Sequence, residues 1–508
     1  MGDFEYQRAV VLGLGAWVVL WVIEGIRRVY FHPLSKFPGP KFAALTLWNE
    51  FYWDVVKRGQ FIWKIDEMHR RYGPIVRINP HELHINDPDF FDELYAGGKR
   101  DKYQWWVNVA GAPGSGFATV GHDLHRLRRG ALSPFFSKRS VTQLEPVIKQ
   151  KIEKLSKRFE TASKTGEVIR LDAAFMALTM DVICDYSFAN DRKYLDEDDF
   201  KLEWKETIMG AFSAGALTRQ FPWLEELLKS LPRPFVKAVN KNVHFFFQWR
   251  DGVEAQVVEI LEHRETKTTL STRTIFHTLR DGDLPPQEKT LERLCDEGEI
   301  LTGAGSETTA SALSKIWFYL CENPDKLRKL REEVVRAMPD PDVLPPWSTL
   351  EQLPYISAVI SEGLRLAYSA TTRLPRIAHE DLRYKDWTIP AGTPVSETIT
   401  LIFLNPTVFP NPESFEPERW LARAADGTQR LHKYFVPFGR GSRQCLGMNL
   451  AYAELYLTVT MIVRRFDFEL FETSIKDVRI VHDFFVAAPD RSSKGIRARV
   501  KELAVEKD

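Results

Sequence analysis

The sequence has few cysteines, no excess of charge of either sign and no internal repeat or low-complexity tract. Its 508 residues include four cysteines, Cys184, Cys295, Cys321 and Cys445. No two are close in the chain, so a CxxC zinc or redox motif is absent and a disulfide framework is not expected. The 69 basic and 69 acidic residues cancel. Nothing in the overall charge therefore points to a nucleic-acid partner.

Charge is also missing from residues 9–23, which read AVVLGLGAWVVLWVI. Fifteen helical residues span about 22 Å, short of a roughly 30 Å hydrocarbon core. Extension to residue 29, with the flanking arginines snorkelling, would close the gap. A cleaved signal peptide and a buried core helix are the alternatives. We favour a membrane anchor over residues 1–31, and the basic residues after it predict that the remainder lies in the cytosol.

The rest of the chain indicates a single helix-rich domain. Residues 32–40 contain two prolines around a glycine and predict a stiff hinge after the anchor. Residues 75–78 and 82–85 have the pattern of two short strands. Long helical stretches fill residues 122–330, and the last apolar helix is expected over 446–466. The prediction is a mainly α fold with small β sheets over residues 41–508.

The most specific motif lies near the C-terminus. Residues 438–447 read FGRGSRQCLG and fit the pattern FxxGxRxCxG. Cys445 stands just before the last apolar helix, so the dipole at the start of that helix would stabilise a thiolate. A small buried hydrophobe is the usual role of a lone cysteine, and we assign that role to Cys184, Cys295 and Cys321. For Cys445 the surrounding pattern favours a metal ligand.

With this loop the sequence resembles the cytochrome P450 superfamily, and the resemblance extends over nearly the whole chain. It implies a haem b whose iron is ligated by the Cys445 thiolate, which favours O–O cleavage. Phe438 would shield the sulfur, Gly447 would let the macrocycle approach the backbone, and Arg443 would reach a haem propionate. The sequence of the N-terminal third looks most like that of fungal family members that act in specialised metabolism, including terpenoid oxidases.

A second motif lies inside a long predicted helix. Residues 301–309 read LTGAGSETT, and their two glycines and several hydroxyl groups weaken the helix centre. The segment is similar to the family's acid–threonine pattern. The resemblance implies that Thr308 hydrogen-bonds dioxygen and that Glu307 feeds a proton relay, so both are predicted as catalytic. A solvated glutamate and an ordinary helical threonine are the alternative.

A third set of residues is expected to hold the structure together. Glu362 and Arg365 form an ExxR pair, which taken alone would be an ordinary surface ion pair. The segment FEPERW at residues 415–420 resembles a family element that adds Arg419 to this pair. The resemblance implies one bidentate brace of Glu362, Arg365 and Arg419 with a structural role.

Several basic residues are candidates for the haem propionates. Arg129 follows the family's WxxxR pattern, although His125 stands where tryptophan is commoner. A histidine can still donate a hydrogen bond, with a charge that depends on pH. Arg373 and Arg376 follow the brace helix, where the family places a further propionate arginine, and the sequence does not decide between them.

The resemblance also implies the reaction and its partners. One oxygen atom of O2 would be inserted into a bulky hydrophobic substrate, a terpenoid or related secondary metabolite. No flavin or nicotinamide fingerprint follows a predicted strand. Electrons from NADPH would therefore come through a separate NADPH-cytochrome P450 reductase, at an endoplasmic reticulum membrane. An O2-independent rearranging enzyme, a haem sensor and a sterol oxidase are the alternatives. The predicted substrate pocket comprises Leu301, Ala304, Ser369, Thr372 and Phe485.

Overall fold

The computed structural model describes residues 2–262, 274–421 and 428–503. Helices dominate, and the mainly α prediction with small sheets is confirmed. The helices are α1 Gly2–Ile26, α2 Lys41–Leu45, α3 Trp48–Phe51, α4 Phe61–Tyr72, α5 Phe91–Ala96, α6 Gln104–Val107, α7 His122–Leu132, α8 Lys138–Thr165, α9 Leu171–Phe188, α10 Leu202–Gln220, α11 Trp223–Ser230, α12 Arg233–Val239, α13 Lys241–Glu262, α14 Ile275–Asp281, α15 Leu291–Glu322, α16 Pro324–Ala337, α17 Trp347–Leu350, α18 Pro354–Ala367, α19 Ile399–Phe403, α20 Thr428–Tyr434 and α21 Met448–Arg465. The strands are β1 Ile75–Arg77, β2 Leu83–Ile85, β3 Arg100–Lys102, β4 Val168–Arg170, β5 Arg376–Ala378, β6 Leu382–Tyr384, β7 Trp387–Ile389, β8 Pro394–Ser396, β9 Phe466–Leu470, β10 His482–Phe484, β11 Val486–Ala488 and β12 Arg497–Glu502.

The first helix is long and apolar enough, by length and composition, to cross a membrane. Its 25 residues span about 37 Å, and its large apolar side chains are exposed. The alternative of a buried core helix is therefore wrong. Residues 32–40 form turns, in which Phe37 is buried and its ring stacks on Trp387 with centroids 5.0 Å apart. The proposed hinge thus packs on the body, and the division into anchor, hinge and domain stays a prediction.

The centre of the core is the 32-residue helix α15, which packs against α9, α18 and α21. Apolar residues are spread over every face of helix α9, which is buried along nearly its whole length, as expected for a helix enclosed by others. Helix α21 is also buried along most of its length. The motif at residues 301–309 therefore lies in the middle of the core.

Small sheets flank this helical core. The largest has five strands in the order β1-β2-β8-β5-β3, and the predicted pair at residues 75–78 and 82–85 is confirmed as an antiparallel pair. A second sheet has the order β4-β12-β9. Strands β10 and β11 form a tight hairpin with Phe485 at its tip, where φ is 73°. This left-handed backbone is unusual for a bulky residue and fixes the position of the tip.

Candidate active site

The loop before α21 is shaped by glycine. Gly441 has φ 71°, and a Cβ atom added there would lie 2.2 Å from the carbonyl oxygen of Tyr95. Because both the backbone angle and this close contact exclude a side chain, residue 441 must be glycine. The Cys445 N–H donates to the carbonyl oxygen of Phe438 at 2.8 Å, which closes the loop. Cys445 thereby precedes the first residue of α21, Met448, by three residues.

The Cys445 side chain is accessible although it lies deep among protein atoms. Burial raises the pKa of its thiol, while the Gly447 N–H and the charge of Arg129 act in the opposite direction. A Cβ atom added to Gly447 would meet no protein atom within 4 Å. The ring of Phe438 lies beside Tyr452, with centroids 5.1 Å apart. The loop therefore presents an accessible sulfur and an open stretch of backbone just before the first turn of α21.

Five cationic or basic side chains gather near this loop. Arg129 donates to the carbonyl oxygen of Gln444 at 2.6 Å, and Arg443 donates to the carbonyl oxygens of Thr119 and Val120. Within the described residues, none of the five forms an ion pair with a carboxylate. Buried charges without counterions are costly, so the cluster is suited to a bound anion. Its members are Lys102, His125, Arg129, Arg376 and Arg443.

The pKa values report the same crowding of positive charge. Burial, followed by the charges of Arg443 and Lys102, lowers the pKa of His125 to about 2. Burial and then Arg376 lower the pKa of Arg443 to about 9. The pKa of Lys102 is also far below its usual value, because of burial and then Arg376 and Arg443. A dianionic or polyanionic group at this place would act against each of these shifts, because it favours the charged form of each basic side chain.

The two arginines that the sequence left undecided lie in different surroundings. Arg373 is buried and donates to Glu82 at 2.8 Å and to Glu50 at 2.6 Å. Arg376 donates to the carbonyl oxygens of Leu374 and Pro375, and its Nε has no partner among the described residues. The structure therefore places Arg373 in a separate charge cluster and leaves Arg376 beside Arg443.

The middle of α15 presents an accessible face. Ala304 is exposed and Thr308 is half-buried, although the helix is otherwise largely enclosed. The Thr308 hydroxyl donates to the carbonyl oxygen of Ala304 at 2.9 Å. From α9, the Thr179 hydroxyl donates to the carbonyl oxygen of Ser306 at 2.6 Å. Hydroxyl groups thus compete with the backbone hydrogen bonds of the helix in this segment, as its sequence predicts.

Glu307 points in a different direction from Thr308. It is 3% exposed, and the ammonium of Lys205 on α10 lies 3.1 and 3.3 Å from its two carboxylate oxygens. Lys205 is also 3.8 Å from Asp172. Burial alone would lower the pKa of Lys205, but Glu307 and Asp172 outweigh it and raise the pKa. The predicted relay acid is therefore held as one partner of an ion pair.

Aromatic side chains dominate the region around Phe485. Its ring stacks on Phe212 of α10 with centroids 6.0 Å apart and meets Phe117 edge-on at 5.6 Å. Trp106 is buried beside both Phe117 and Phe485, and its Nε1 has no partner among the described residues. Of the other predicted pocket residues, Ser369 is half-buried, whereas Leu301 and Thr372 are buried.

The structure brings the three predicted brace residues together. Glu362 and Arg365 are completely buried and form a bidentate pair at 2.7 and 2.8 Å. The same Glu362 carboxylate accepts from Arg419 at 3.1 Å and from the Trp420 indole at 3.0 Å. Arg365 also donates to backbone carbonyl oxygens between residues 403 and 414. This network fixes the irregular segment that precedes the cysteine loop.

Comparison with known sequences agrees with this geometry. The profile of the cytochrome P450 family matches residues 39–492. The chain belongs to this family. It is 43% identical to cytochrome P450 monooxygenase MO6277 of Ascocoryne sarcoides, over 98% of this chain and 100% of that protein. It is 44% identical to cytochrome P450 monooxygenase sdnE of Sordaria araneosa, over 95% of this chain and 96% of the relative. It is 42% identical to tryptophan 6-hydroxylase fscE of Fusarium equiseti, over 94% of each chain.

Family membership makes this P450 a monooxygenase and implies a haem with a cysteine thiolate ligand. The observed residues fit that group, because an accessible thiol and a cluster of unpaired buried cations lie at the same loop. Sequence reasoning missed two members of the site. Lys102 lies in β3 and Lys205 in α10, and neither belongs to a recognisable motif.

Proposed function

We propose that this P450 holds haem b through the Cys445 thiolate. His125, Arg129, Arg376 and Arg443 would bind its propionates together with Lys102. The unpaired cations in the cysteine-loop region carry this proposal, since each lacks the counterion that a propionate would supply. Arg373 is left out, because Glu50 and Glu82 already satisfy its guanidinium. Glu362, Arg365 and Arg419 act only as the structural brace.

When bound, the haem supplies the activation of O2 with electrons from NADPH. The protein positions the side chains that carry protons to the reaction site. The Thr308 hydroxyl holds a proton at Oγ1 on the accessible face of α15, next to the space that Ala304 leaves open. Glu307 holds the next proton site, and Lys205 controls whether that carboxylate is ion-paired or free to exchange a proton. Burial in the core keeps bulk water away from the Glu307 carboxylate.

The proposed substrate is a bulky hydrophobic natural product, a terpenoid or related secondary metabolite. The region around Phe485 is built from aromatic side chains, and apolar pockets suit apolar ligands. An aromatic substrate is the second candidate. It is favoured by the ring faces of Phe117, Phe212 and Phe485, and tryptophan is the molecule in the name of one relative.

The proposed partners are an NADPH-cytochrome P450 reductase and membrane lipid, at the endoplasmic reticulum. Helix α1 supports the membrane assignment, because the helix is long enough to span a bilayer and its apolar side chains are exposed. Arg440 lies in the cysteine loop and Arg126 lies on α7, the helix whose Arg129 contacts that loop, and their basic charge suits an acidic redox partner.

The first experiment is the reduced carbon-monoxide difference spectrum of the full-length protein in membranes. Cys445→Ala is expected to abolish the red-shifted Soret band of thiolate ligation. Cys295→Ala, at a half-buried cysteine distant in sequence, is the matched control and should keep the band. Thr308→Ala should keep the band but divert NADPH oxidation from product to hydrogen peroxide. A wild-type protein without the band, or a Cys445→Ala variant with it, would overturn the proposal.

A further inference from the structure

Residues 111–121, which precede α7, form a loop that brings Phe117 into the aromatic region of the candidate site. The Phe117 ring meets Phe485 edge-on, and the Phe117 carbonyl oxygen accepts from Lys102. Arg443 donates to two further carbonyl oxygens of the loop at 2.6 and 2.7 Å. One side of this segment, which we call the Phe117 loop, is therefore attached to two of the cations that we propose for the haem propionates.

The other side of the Phe117 loop is attached to the first part of α15. The Gly114 N–H donates to Asp296 Oδ2 at 2.6 Å, and the Gly116 N–H donates to Glu297 Oε2 at 2.9 Å. Both carboxylates are buried, with Asp296 5% and Glu297 2% exposed. Hydrogen bonds to an ionised acceptor are stronger than those between neutral groups, so these two contacts hold the loop firmly against α15.

Glu297 is one end of a row of four alternating charges. Glu288 accepts from Arg128 at 2.7 and 3.0 Å and from Arg293 at 3.1 Å. Arg293 in turn lies 2.6 Å from the Glu297 carboxylate. At the other end of the row, Arg128 donates to the Gly114 carbonyl oxygen at 2.8 Å. Both ends of the row therefore bond to the Phe117 loop, so each charge is positioned by its neighbours and the loop is fixed with them.

The loop is attached to the face of α15 that borders the candidate site. Positions 297, 301, 304 and 308 recur every three or four residues and so lie on one side of the helix. Leu301 and Ala304 belong to the predicted pocket, and Thr308 is the predicted catalytic threonine. Glu297 precedes Ala304 by two turns, or about 10 Å. The Glu297 carboxylate thus fixes the Phe117 loop at one end of the same face.

We infer that Glu297 is a positioning residue that sets substrate specificity, because its carboxylate fixes the Phe117 loop and thereby the place of the Phe117 ring beside Phe485. The inference rests on the proposed function, since it takes this aromatic region as the substrate pocket. Glu297 acts through the loop and does not touch the reacting atoms. The affinity of a ligand large enough to meet the Phe117 ring therefore depends on residue 297, whereas that of a small ligand at the haem iron does not.

The first test measures amide hydrogen exchange of the full-length protein in peptides that cover the Phe117 loop. Glu297→Leu removes the acceptor of the Gly116 N–H, so the loop amides should exchange about tenfold faster. Glu297→Gln keeps an acceptor without the charge and should give an increase of about threefold. Glu145→Leu is the matched control, because Glu145 on α8 is also buried, also accepts a backbone N–H, from Trp347, and also pairs with a basic residue four positions away. It should leave exchange of the loop unchanged.

The second test compares two azoles that ligate haem iron and shift its Soret band. Clotrimazole carries three aromatic rings beyond its azole and is large enough to meet the Phe117 ring, whereas imidazole is not. Titration of the full-length haem protein gives the dissociation constant of each azole. Glu297→Leu should raise the dissociation constant of clotrimazole about tenfold, because binding must then also order the loop. The dissociation constant of imidazole should change less than twofold. If Glu297→Leu takes up no haem, Glu297→Gln serves in its place, with an expected rise of about threefold for clotrimazole alone.

A double variant separates positioning from a general loss of structure. Phe117→Ala alone should weaken clotrimazole, because it removes the ring that the loop presents. Since Glu297 acts only through this ring, adding Glu297→Leu to Phe117→Ala should raise the dissociation constant of clotrimazole by less than a further twofold. The two substitutions are therefore expected to be strongly non-additive, although their side chains act on opposite sides of the loop backbone.

Unchanged loop exchange in both Glu297 variants, equal weakening of the two azoles, or full additivity with Phe117→Ala would overturn the inference and leave the monooxygenase proposal intact. Faster loop exchange in Glu145→Leu would overturn it as well, since the effect would then follow from general destabilisation. If the wild-type protein gives no Soret shift with imidazole, the haem–thiolate proposal fails, and the inference about substrate fails with it even where hydrogen exchange shows the loop attached to Glu297.

Discussion

The ammonium of Lys205 lies 3.1 Å from a carboxylate oxygen of Glu307, and this contact joins α10 to the functional segment of α15. Thr308, the next residue, has an accessible hydroxyl, whereas Glu307 is almost fully buried. Two adjacent residues of α15 thus face different surroundings: Thr308 faces the accessible side of the helix and Glu307 faces α10. A displacement of α10 would separate Lys205 from Glu307 and leave the Thr308 hydroxyl on its own side of α15.

We predict that Lys205→Gln destabilises the protein by about 3 kcal/mol, because it leaves Glu307 buried without a counterion. The double variant Lys205→Gln with Glu307→Gln should recover most of that loss. Urea unfolding in detergent measures the free energies for the complete double-mutant cycle. Lys229→Gln is the control, since Lys229 pairs with Glu225 and Glu226 at a partly exposed site. It should cost less than about 1 kcal/mol. A double variant as unstable as the single one would contradict the pairing.

Lys102→Met should change stability and haem binding in opposite directions. In the haem-free protein it removes a buried ammonium beside Arg376 and Arg443, so the free energy of unfolding should rise by about 1 kcal/mol. In the loaded protein it removes a propionate partner, so the rate of haem transfer to apomyoglobin should increase about tenfold. Lys99→Met, at an exposed lysine paired with Asp123, serves as the control. Faster haem loss without stabilisation of the haem-free protein would contradict the unpaired-cation account.

Glu362→Gln should prevent stable haem incorporation. The carboxylate accepts from Arg365, Arg419 and the Trp420 indole, and replacing it leaves the fully buried Arg365 guanidinium without a carboxylate partner at a cost of about 3–5 kcal/mol. Glu416→Gln is the matched control, because Glu416 also forms an ion pair with Arg419 but its side chain is 38% exposed. The haem-to-protein ratio and the unfolding temperature are the measurements. Equal losses in the two variants would show that burial of the pair is not the decisive factor.

A buried histidine pair predicts a loss of stability in acid. His69 Nε2 lies 2.7 Å from His84 Nδ1, and His84 Nε2 lies 2.8 Å from Thr398 Oγ1. Since the Gly73 carbonyl can only accept from His69 Nδ1, all contacts are satisfied with both rings neutral. Burial lowers the pKa of both rings in the folded state. Their stabilisation is therefore complete above pH of about 6.5 and is lost as the pH falls and the unfolded chain takes up protons.

The variant His84→Gln should start less stable at pH 7 but lose about 1–2 kcal/mol less than wild type between pH 7 and pH 5. Unfolding by urea at each pH measures the difference. Parallel slopes for His84→Gln and wild type would show that this pair does not control the acid response.

Local patterns explain what the sequence could predict. The short strands around Asn79 and Pro80, the break after Tyr72 and the helix after Cys445 all follow from residues adjacent in the chain. The partners of Arg373 and Glu307 do not. Glu50 and Lys205 are 323 and 102 residues away from them, and only the packing of α10 and the N-terminal segment brings them together. A single sequence shows which side chains are charged, but it does not show which opposite charge will be buried beside each of them.

The hydrogen bonds that hold the hairpin at Phe485 use the backbone of this residue and not its side chain. Asp483 accepts from the Phe485 N–H and the Thr371 hydroxyl, and the Phe485 carbonyl accepts from the Thr371 N–H. None of these bonds uses the ring that faces Phe212. Selection can therefore exchange the side chain at residue 485 while the loop keeps its path, and glycine there would even relieve the left-handed backbone. Because Phe485 belongs to the proposed substrate pocket, a single mutation at this position would let a lineage change its substrate without altering the fold of the catalytic domain.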